Sequence, residues 1–213
     1  AGKSTLVNLA CRFFEPTKGK ILIDGVDYRE RSQLWLHSNL GYVQQTPHLF
    51  SGSLMDNIRY GRLDATDEEV YRAASLVSAD TVAARLENGY ETDVGEGGDR
   101  LSTGEKQLVS FARALVADPP IFVLDEATSS IDAETEQLIQ NAISHVLTGR
   151  TSFIIAHRLS TIRSADLILL VEDHGIIERG SHEELMAQKG KYYALYTKMM
   201  IQDRAEETGI RLE

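Results

Sequence analysis

Residues 101–132 read LSTGEKQLVSFARALVADPPIFVLDEATSSID, and this run decides the fold class. After the small polar turn Leu101-Ser102-Thr103-Gly104, apolar residues recur at Leu108, Phe111, Ala112 and Leu115. That is the i, i+3, i+4, i+7 spacing of a helix with one buried face. Asp118-Pro119-Pro120 stops the helix, because proline supplies no N–H and clashes with the preceding turn. Ile121-Phe122-Val123-Leu124 follows, too short for a helix and apolar throughout, as expected of a strand covered on both faces of a parallel sheet. Its carboxyl end carries Asp125 and Glu126. Ligands of open α/β sheets bind at that edge, so the paired carboxylates are candidates for metal and water chemistry.

Downstream, Glu134 to Leu147 reads as a helix burying Leu138, Ala142, Ile143 and Val146. Thr151–Ala156 (TSFIIA) and Asp166–Val171 (DLILLV) read as further buried strands. Glu172-Asp173-His174-Gly175 reads as a hairpin turn into Ile176–Glu178, and Ser181 with Glu184 as a capping box for a helix from His182. Lys191–Met200 closes the pattern as an amphipathic helix, with a polar tail over 202–213. Upstream, Gly2-Lys3-Ser4-Thr5 leads into a helix whose Leu6, Leu9, Ala10 and Phe13 share a face until Glu15-Pro16. Strands are expected at Lys20–Asp24, closed by a turn at Gly25–Asp27, and at Gly41–Gln45, the latter after a polar, helical link over Gln33–Leu40. Asp67–Leu86 is alanine-rich and begins with the acidic turn Asp67-Glu68-Glu69, which suits a helix dipole. Four glycines in 89–98 break that pattern. Strands separated by helices indicate a parallel α/β sheet, with a mainly helical insertion over 46–117 between core segments 1–45 and 118–201.

A chain of 213 residues can bury one substantial core, with or without an inserted subdomain. The formal charge of -10 argues against a nucleic-acid backbone as main partner, since that requires a basic stripe. The single cysteine, Cys11, excludes an internal disulfide and reads as a small buried hydrophobe. No apolar run approaches the roughly 18 residues of a membrane span.

Gly2-Lys3-Ser4-Thr5 at a helix start matches the second half of G-x-x-x-x-G-K-[ST], the loop that cradles nucleotide phosphates. Helix-terminal N–H groups attract the anion, the lysine reaches the outer phosphates and the Ser4 hydroxyl is a Mg²⁺ ligand. Asp125 then has the form of the second acidic element that holds Mg²⁺, and Glu126 is placed to orient or deprotonate water. The first half of the phosphate loop and the strand feeding it are expected before Ala1, so a chain starting there is expected to bind ATP poorly.

With these residues in view, a family resemblance is specific and spans nearly the whole chain. LSTGEKQ at 101–107 resembles the signature motif of ABC ATPases, and LDEATSSID at 124–132 resembles their Walker B element and D-loop. Gln45 falls at the Q-loop position and His157, in IIAHRLS, at the switch-histidine position. TDVGEGG at 92–98 is similar to the loop that touches the coupling helices of the membrane domain in ABC exporters, and ERGSHEEL at 178–185 also resembles the exporter class. The resemblance implies a P-loop NTPase, RecA-like fold and a nucleotide-binding domain that dimerises head to tail around two ATP molecules. Gly2, Lys3, Ser4, Thr5, Gln45, Asp125, Glu126 and His157 would serve the chain's own Mg·ATP, with Ser4, Gln45 and Asp125 toward the metal and Glu126, Gln45 and His157 catalytic. Ser102 and Gly104 would close over the partner's ATP, and Asp132 of the D-loop would also be a nucleotide-binding residue. The implied partners are a second ABC ATPase domain, identical or not, and exporter transmembrane domains, at the cytoplasmic face of the cell membrane. Thr103 and Glu105 depart from the family's usual glycine and glutamine.

Two other readings differ in class. A soluble ABC-type ATPase of DNA repair or translation would carry long coiled-coil insertions or a basic surface, and neither is visible. A non-catalytic regulatory module would begin natively at Ala1.

Overall fold

The computed structural model describes residues 2–126 and 131–208, so Ala1, the stretch 127–130 of the Walker B and D-loop reading, and tail residues 209–213 lie outside the described residues. The chain divides into two compact units, Leu9–Ile154 and Ala1–Asn8 with Ile155–Glu213. Its first helix, α1 (Lys3–Ala10), is shorter than the spacing predicts. Arg12 adopts a left-handed backbone with φ 57°, and its guanidinium donates to the carbonyl oxygens of Tyr28 and Arg31 at 3.0 and 2.8 Å. Those bonds turn the chain before Phe13, which is 45% exposed, while Val7 and Cys11 are the buried residues. Burial pushes the Cys11 thiol up to about 11, consistent with an inert packing role.

In the larger unit, β1 (Leu22–Ile23) and β2 (Val26–Asp27) form an antiparallel hairpin. The expected single strand to Asp24 breaks because Asp24 and Gly25 both have positive φ, at 51° and 78°, as a two-residue hairpin turn requires. Helix α2 (Gln33–Ser38), capped by Ser32, leads to β3 (Leu40–Val43). Helices α3 (Leu54–Arg59), α4 (Asp67–Leu76), α5 (Asp80–Arg85) and α6 (Thr103–Val116) occupy the stretch expected to be helical. The alanine-rich segment is two helices, because Ser78 takes φ 59° and the Ala79 N–H reaches back to the Ala74 carbonyl at 2.8 Å. This 6→1 bond is the Schellman ending of a helix.

Strand β4 (Ile121–Asp125) pairs in parallel with β3, from Leu40 opposite Ile121 to Val43 opposite Leu124. After α7 (Ala133–Leu147), β5 (Thr151–Ile155) completes the order β3-β4-β5. The α/β class with a parallel pair stands as expected, but β5 is not covered on both faces. It is an edge strand among the described residues, and Phe153 remains 42% exposed. Helix α6 is the centre of this unit: its expected apolar residues Leu108, Phe111, Ala112 and Leu115 are all buried, against α3, α4, α7 and β3.

In the smaller unit, α8 (Leu159–Ser164) precedes β6 (Ile168–Glu172) and β7 (Gly175–Gly180), an antiparallel hairpin turned at Asp173 and His174. β6 therefore belongs to a separate two-stranded sheet rather than being a strand covered on both faces. Ile168 and Leu170 face a cluster around Leu185, Tyr192 and Tyr196, while Leu169 is 39% exposed. The capping box of Ser181 and Glu184 opens α9 (His182–Gln188). Both carboxylate oxygens of Glu178 accept from the first N–H groups of α10 (Lys191–Thr208), at 2.7 and 2.9 Å. This last helix runs beyond Met200 into the expected tail, where Gln202, Arg204, Ala205, Glu206 and Glu207 are good helix formers.

Gly61 tests the packing of α6, since a Cβ there would run into the Arg113 carbonyl oxygen, whereas a Cβ at Gly149 meets nothing within 4 Å. Gly61→Ala is expected to lower stability in urea denaturation by about 1–3 kcal/mol through overpacking. Gly149→Ala, at φ 73°, should cost only the left-handed backbone strain of roughly 1 kcal/mol.

Candidate functional site

The parallel register of β3 and β4 brings three of the candidate residues to one sheet edge in the larger unit. Val43 lies opposite Leu124, so Gln45 and Glu126 each follow by two residues at the same carboxyl edge. Gln45 is exposed, Asp125 half-buried and Glu126 fully buried. Burial, with a smaller contribution from the Asp125 carboxylate, raises the Tyr42 phenol above its ordinary range. Among the described residues no cluster of three His, Cys, Asp or Glu side chains could hold a metal by itself. The single strand-end carboxylate of Asp125 suits Mg²⁺, which takes one or two carboxylates and completes its octahedron with phosphate oxygens and water.

The other unit holds the start of α1. Gly2 has φ 103°, and the Leu6 N–H bonds its carbonyl at 3.0 Å as the first helical hydrogen bond. The N–H groups of Lys3, Ser4 and Thr5 thus lie in the first turn, where no intrahelical acceptor exists, and their side chains are exposed. His157, half-buried, follows β5 by two residues in this same unit. Thus Gly2, Lys3, Ser4, Thr5 and His157 belong to one unit, and Gln45, Ser102, Gly104, Asp125, Glu126 and Asp132 to the other.

The signature turn is held by a reciprocal pair. The Ser102 hydroxyl accepts from the Glu105 N–H at 3.3 Å, and the Glu105 carboxylate accepts from the Ser102 N–H at 2.7 Å. Thr103 opens α6 from an exposed position, so its β-branch is accommodated. Gly104 is buried, and a Cβ there would collide with the Thr135 methyl group. Asp132 accepts from the Thr135 N–H at 2.9 Å and caps α7. That bond to the Thr135 backbone holds the Asp132 carboxyl below its usual range. Its stabilising effect is therefore present above the ordinary carboxylate pKa and lost as pH falls through the lowered one.

Sequence reasoning missed a buried clamp beside Gln45. The Arg113 guanidinium, on α6, donates to the carbonyl oxygens of Asn57 and His48 and to Asn57 Oδ1, each at 2.8 Å. It also lies 5.1 Å from the centroid of the Phe50 ring. Asn57, 1% exposed, both donates to and accepts from the Phe50 backbone. Burial lowers the Arg113 pKa to about 10, which leaves it charged at neutral pH. The clamp ties the loop after Gln45 to the helix that starts at the signature turn, and a cleft of about 350 Å³ opens there between Phe13, Tyr42, Pro47, Phe50, Tyr60 and Arg113. A lone charge within the apolar run SFARALV was the available signal. Gln107 was equally silent: it is fully buried, and neither polar atom of its amide has a hydrogen-bond partner among the described residues.

A Gly-Lys-Ser-Thr helix start in one unit and a strand-terminal Asp-Glu pair in the other are each elements of the class of P-loop nucleotide-binding domains. Within that class the chain belongs to the ABC transporter family, whose profile matches residues 1–129. It is 51% identical to the ABC transporter ATP-binding protein YfiC of Bacillus subtilis, over 92% of this chain and 32% of that protein. It is also 51% identical to a fatty acid ABC transporter ATP-binding/permease protein of Mycobacterium bovis, over 92% of this chain and 31% of that one. A solved bacterial Atm1-family ABC exporter with ATP bound superposes with a TM-score of 0.83 at 44% identity, covering 95% of this chain and 35% of that one. The chain thus spans about a third of the length of the curated relatives it matches. These relatives are transporters, which leaves the DNA-repair or translation reading without support. Among the described residues no helix is long and apolar enough to cross a membrane.

Replacing Arg113 by lysine is expected to destabilise the larger unit by about 2 kcal/mol or more, because an ammonium cannot make the same fork of bonds. Gln107→Leu is expected to raise the melting temperature, since it removes an unpaired buried amide at nearly constant volume. Thermal unfolding of both variants checks the two signs.

Proposed function

We propose that this chain is the ATP-hydrolysing domain of an ABC exporter and works as half of a head-to-tail dimer. The observation that carries the proposal is the strand-end pair Asp125-Glu126 beside Gln45, at the carboxyl edge of a parallel sheet. Gly2, Lys3, Ser4 and Thr5 would cradle the phosphates with the N–H groups of the first turn of α1. Ser4, Gln45 and Asp125 would hold Mg²⁺, which when bound neutralises charge on the phosphates. Glu126, enclosed by its surroundings, would orient the attacking water, and His157 would contact the terminal phosphate. Phosphoryl transfer needs positioning and charge stabilisation more than covalent help, and these residues supply both.

Ser102 and Gly104 would close on the nucleotide of a second ABC ATPase domain, with Asp132 at the same interface. The contact of Gly104 with Thr135, whose N–H Asp132 caps, supports this reading, since it links the signature turn to the start of α7. Exporter transmembrane domains are the second partner, at the cytoplasmic face of the membrane. The segment 92–98 is fit for docking them: the Leu54 and Val94 N–H groups bond the Thr92 and Gly52 carbonyls at 3.0 Å, so the loop is pinned to the start of α3. The working parts of the domain are then a core of 1–45 and 118–201, a helical subdomain of 46–117 and a polar end of 202–213.

The test is Mg²⁺-dependent ATPase activity of the natural full-length protein in membranes. Glu126→Gln should reduce turnover by about 100-fold or more while ATP-bound dimers persist. Lys3→Ala should weaken ATP binding itself. Unchanged turnover in the Glu126 variant would refute the assignment.

A further inference from the structure

The capping carboxylate of α6 has a second duty. Glu105 Oε2 closes the turn on the Ser102 N–H, and its other oxygen, Oε1, lies 3.0 Å from a guanidinium nitrogen of Arg85, the last residue of α5. The Glu105 side chain is 17% exposed and Arg85 60% exposed, so the carboxylate is fixed and shielded while the cation remains at the surface. A helix N-terminus carries a partial positive charge that favours anions. Here that charge already faces a full negative charge from Glu105, three residues into the chain's own signature helix. A triphosphate arriving at Ser102 and Gly104 would meet like charge, and like charges brought together without compensation weaken binding. The described cation paired to that carboxylate is Arg85, supplied by another element some twenty residues earlier in the chain.

We propose that the Arg85–Glu105 pair sets the strength and phosphate selectivity of the signature half-site, with Arg85 as a positioning residue that neutralises Glu105 when a triphosphate docks. The proposal rests on the nucleotide-sandwich reading above. Its signature is conditional: Arg85 matters only while residue 105 is charged, and only for a ligand with a terminal phosphate. A residue that merely supported the fold would affect ATP and ADP alike, and would do so whatever stood at position 105.

The test is a double-mutant cycle in the natural full-length protein carrying Glu126→Gln, with trapping of labelled ATP and equilibrium binding of ADP measured at fixed ionic strength. Glu105→Gln can still close the capping box, so the helix start is preserved. Arg85→Ala is expected to raise the half-saturating ATP concentration about tenfold, and Glu105→Gln to lower it about threefold. In the Glu105→Gln background, Arg85→Ala should change it less than about twofold, and ADP affinity should stay within about twofold in all four proteins. Raising the salt concentration should shrink the Arg85 effect, since the pair is partly exposed. Equal losses in both backgrounds, parallel losses for ADP, or no loss at all would overturn the role of the pair while leaving the nucleotide reading intact. Absence of ATP trapping in the parent sequence, unaffected by Lys3→Ala, would overturn both.

Discussion

The fold depends on the burial of α6. Ten of its fourteen residues are buried, so it is packed on almost every side rather than along one stripe. Helices α3, α4 and α7 and strand β3 each take a different part of its surface. Close packing of this kind makes every neighbour's position a function of the helix, because interiors of protein density leave little slack. The signature turn at one end, the Arg113 clamp further along and the strand-end carboxylates of β4 are thereby referred to one rigid element.

The parts of this arrangement that were legible in the sequence are those governed by local rules. The i, i+3, i+4 spacing found α6 and α7, the Pro-Pro step ended α6, and the Ser181/Glu184 spacing placed the start of α9. Local reading failed where a distant partner decided the outcome. Arg12 ends α1 because two carbonyls sixteen and nineteen residues away capture its guanidinium. Ser78 splits the alanine-rich segment through a backbone conformation that composition does not encode. Continuous apolar runs suggested full burial for β5 and β6, yet period counting cannot distinguish a covered strand from one with a single packed face.

The candidate site divides in the same way. Its proposed chemistry-bearing residues were nominated from motif spacing, because a phosphate loop, a strand-end carboxylate pair and a signature turn are each contiguous in sequence. Its supporting residues were not, since Arg113 reaches fifty-six residues to Asn57 and sixty-five to His48. Gly104, proposed to let a phosphate approach its backbone, has an independent reason to be glycine, a first turn of α6 that touches Thr135. Only the proposed role is visible without coordinates.

The Arg113 clamp grips backbone carbonyl oxygens at His48 and Asn57, and the one side chain it uses, Asn57, is itself bound to backbone. The path of the loop after Gln45 is therefore specified by its backbone together with the buried side chains of Pro47 and Leu49. His48 and Phe50 are exposed, so the loop can change the chemistry it offers while keeping its shape. Such a construction separates the course of the loop from the identity of its exposed residues, so that His48 can vary without loosening the grip of Arg113 on its carbonyl oxygen.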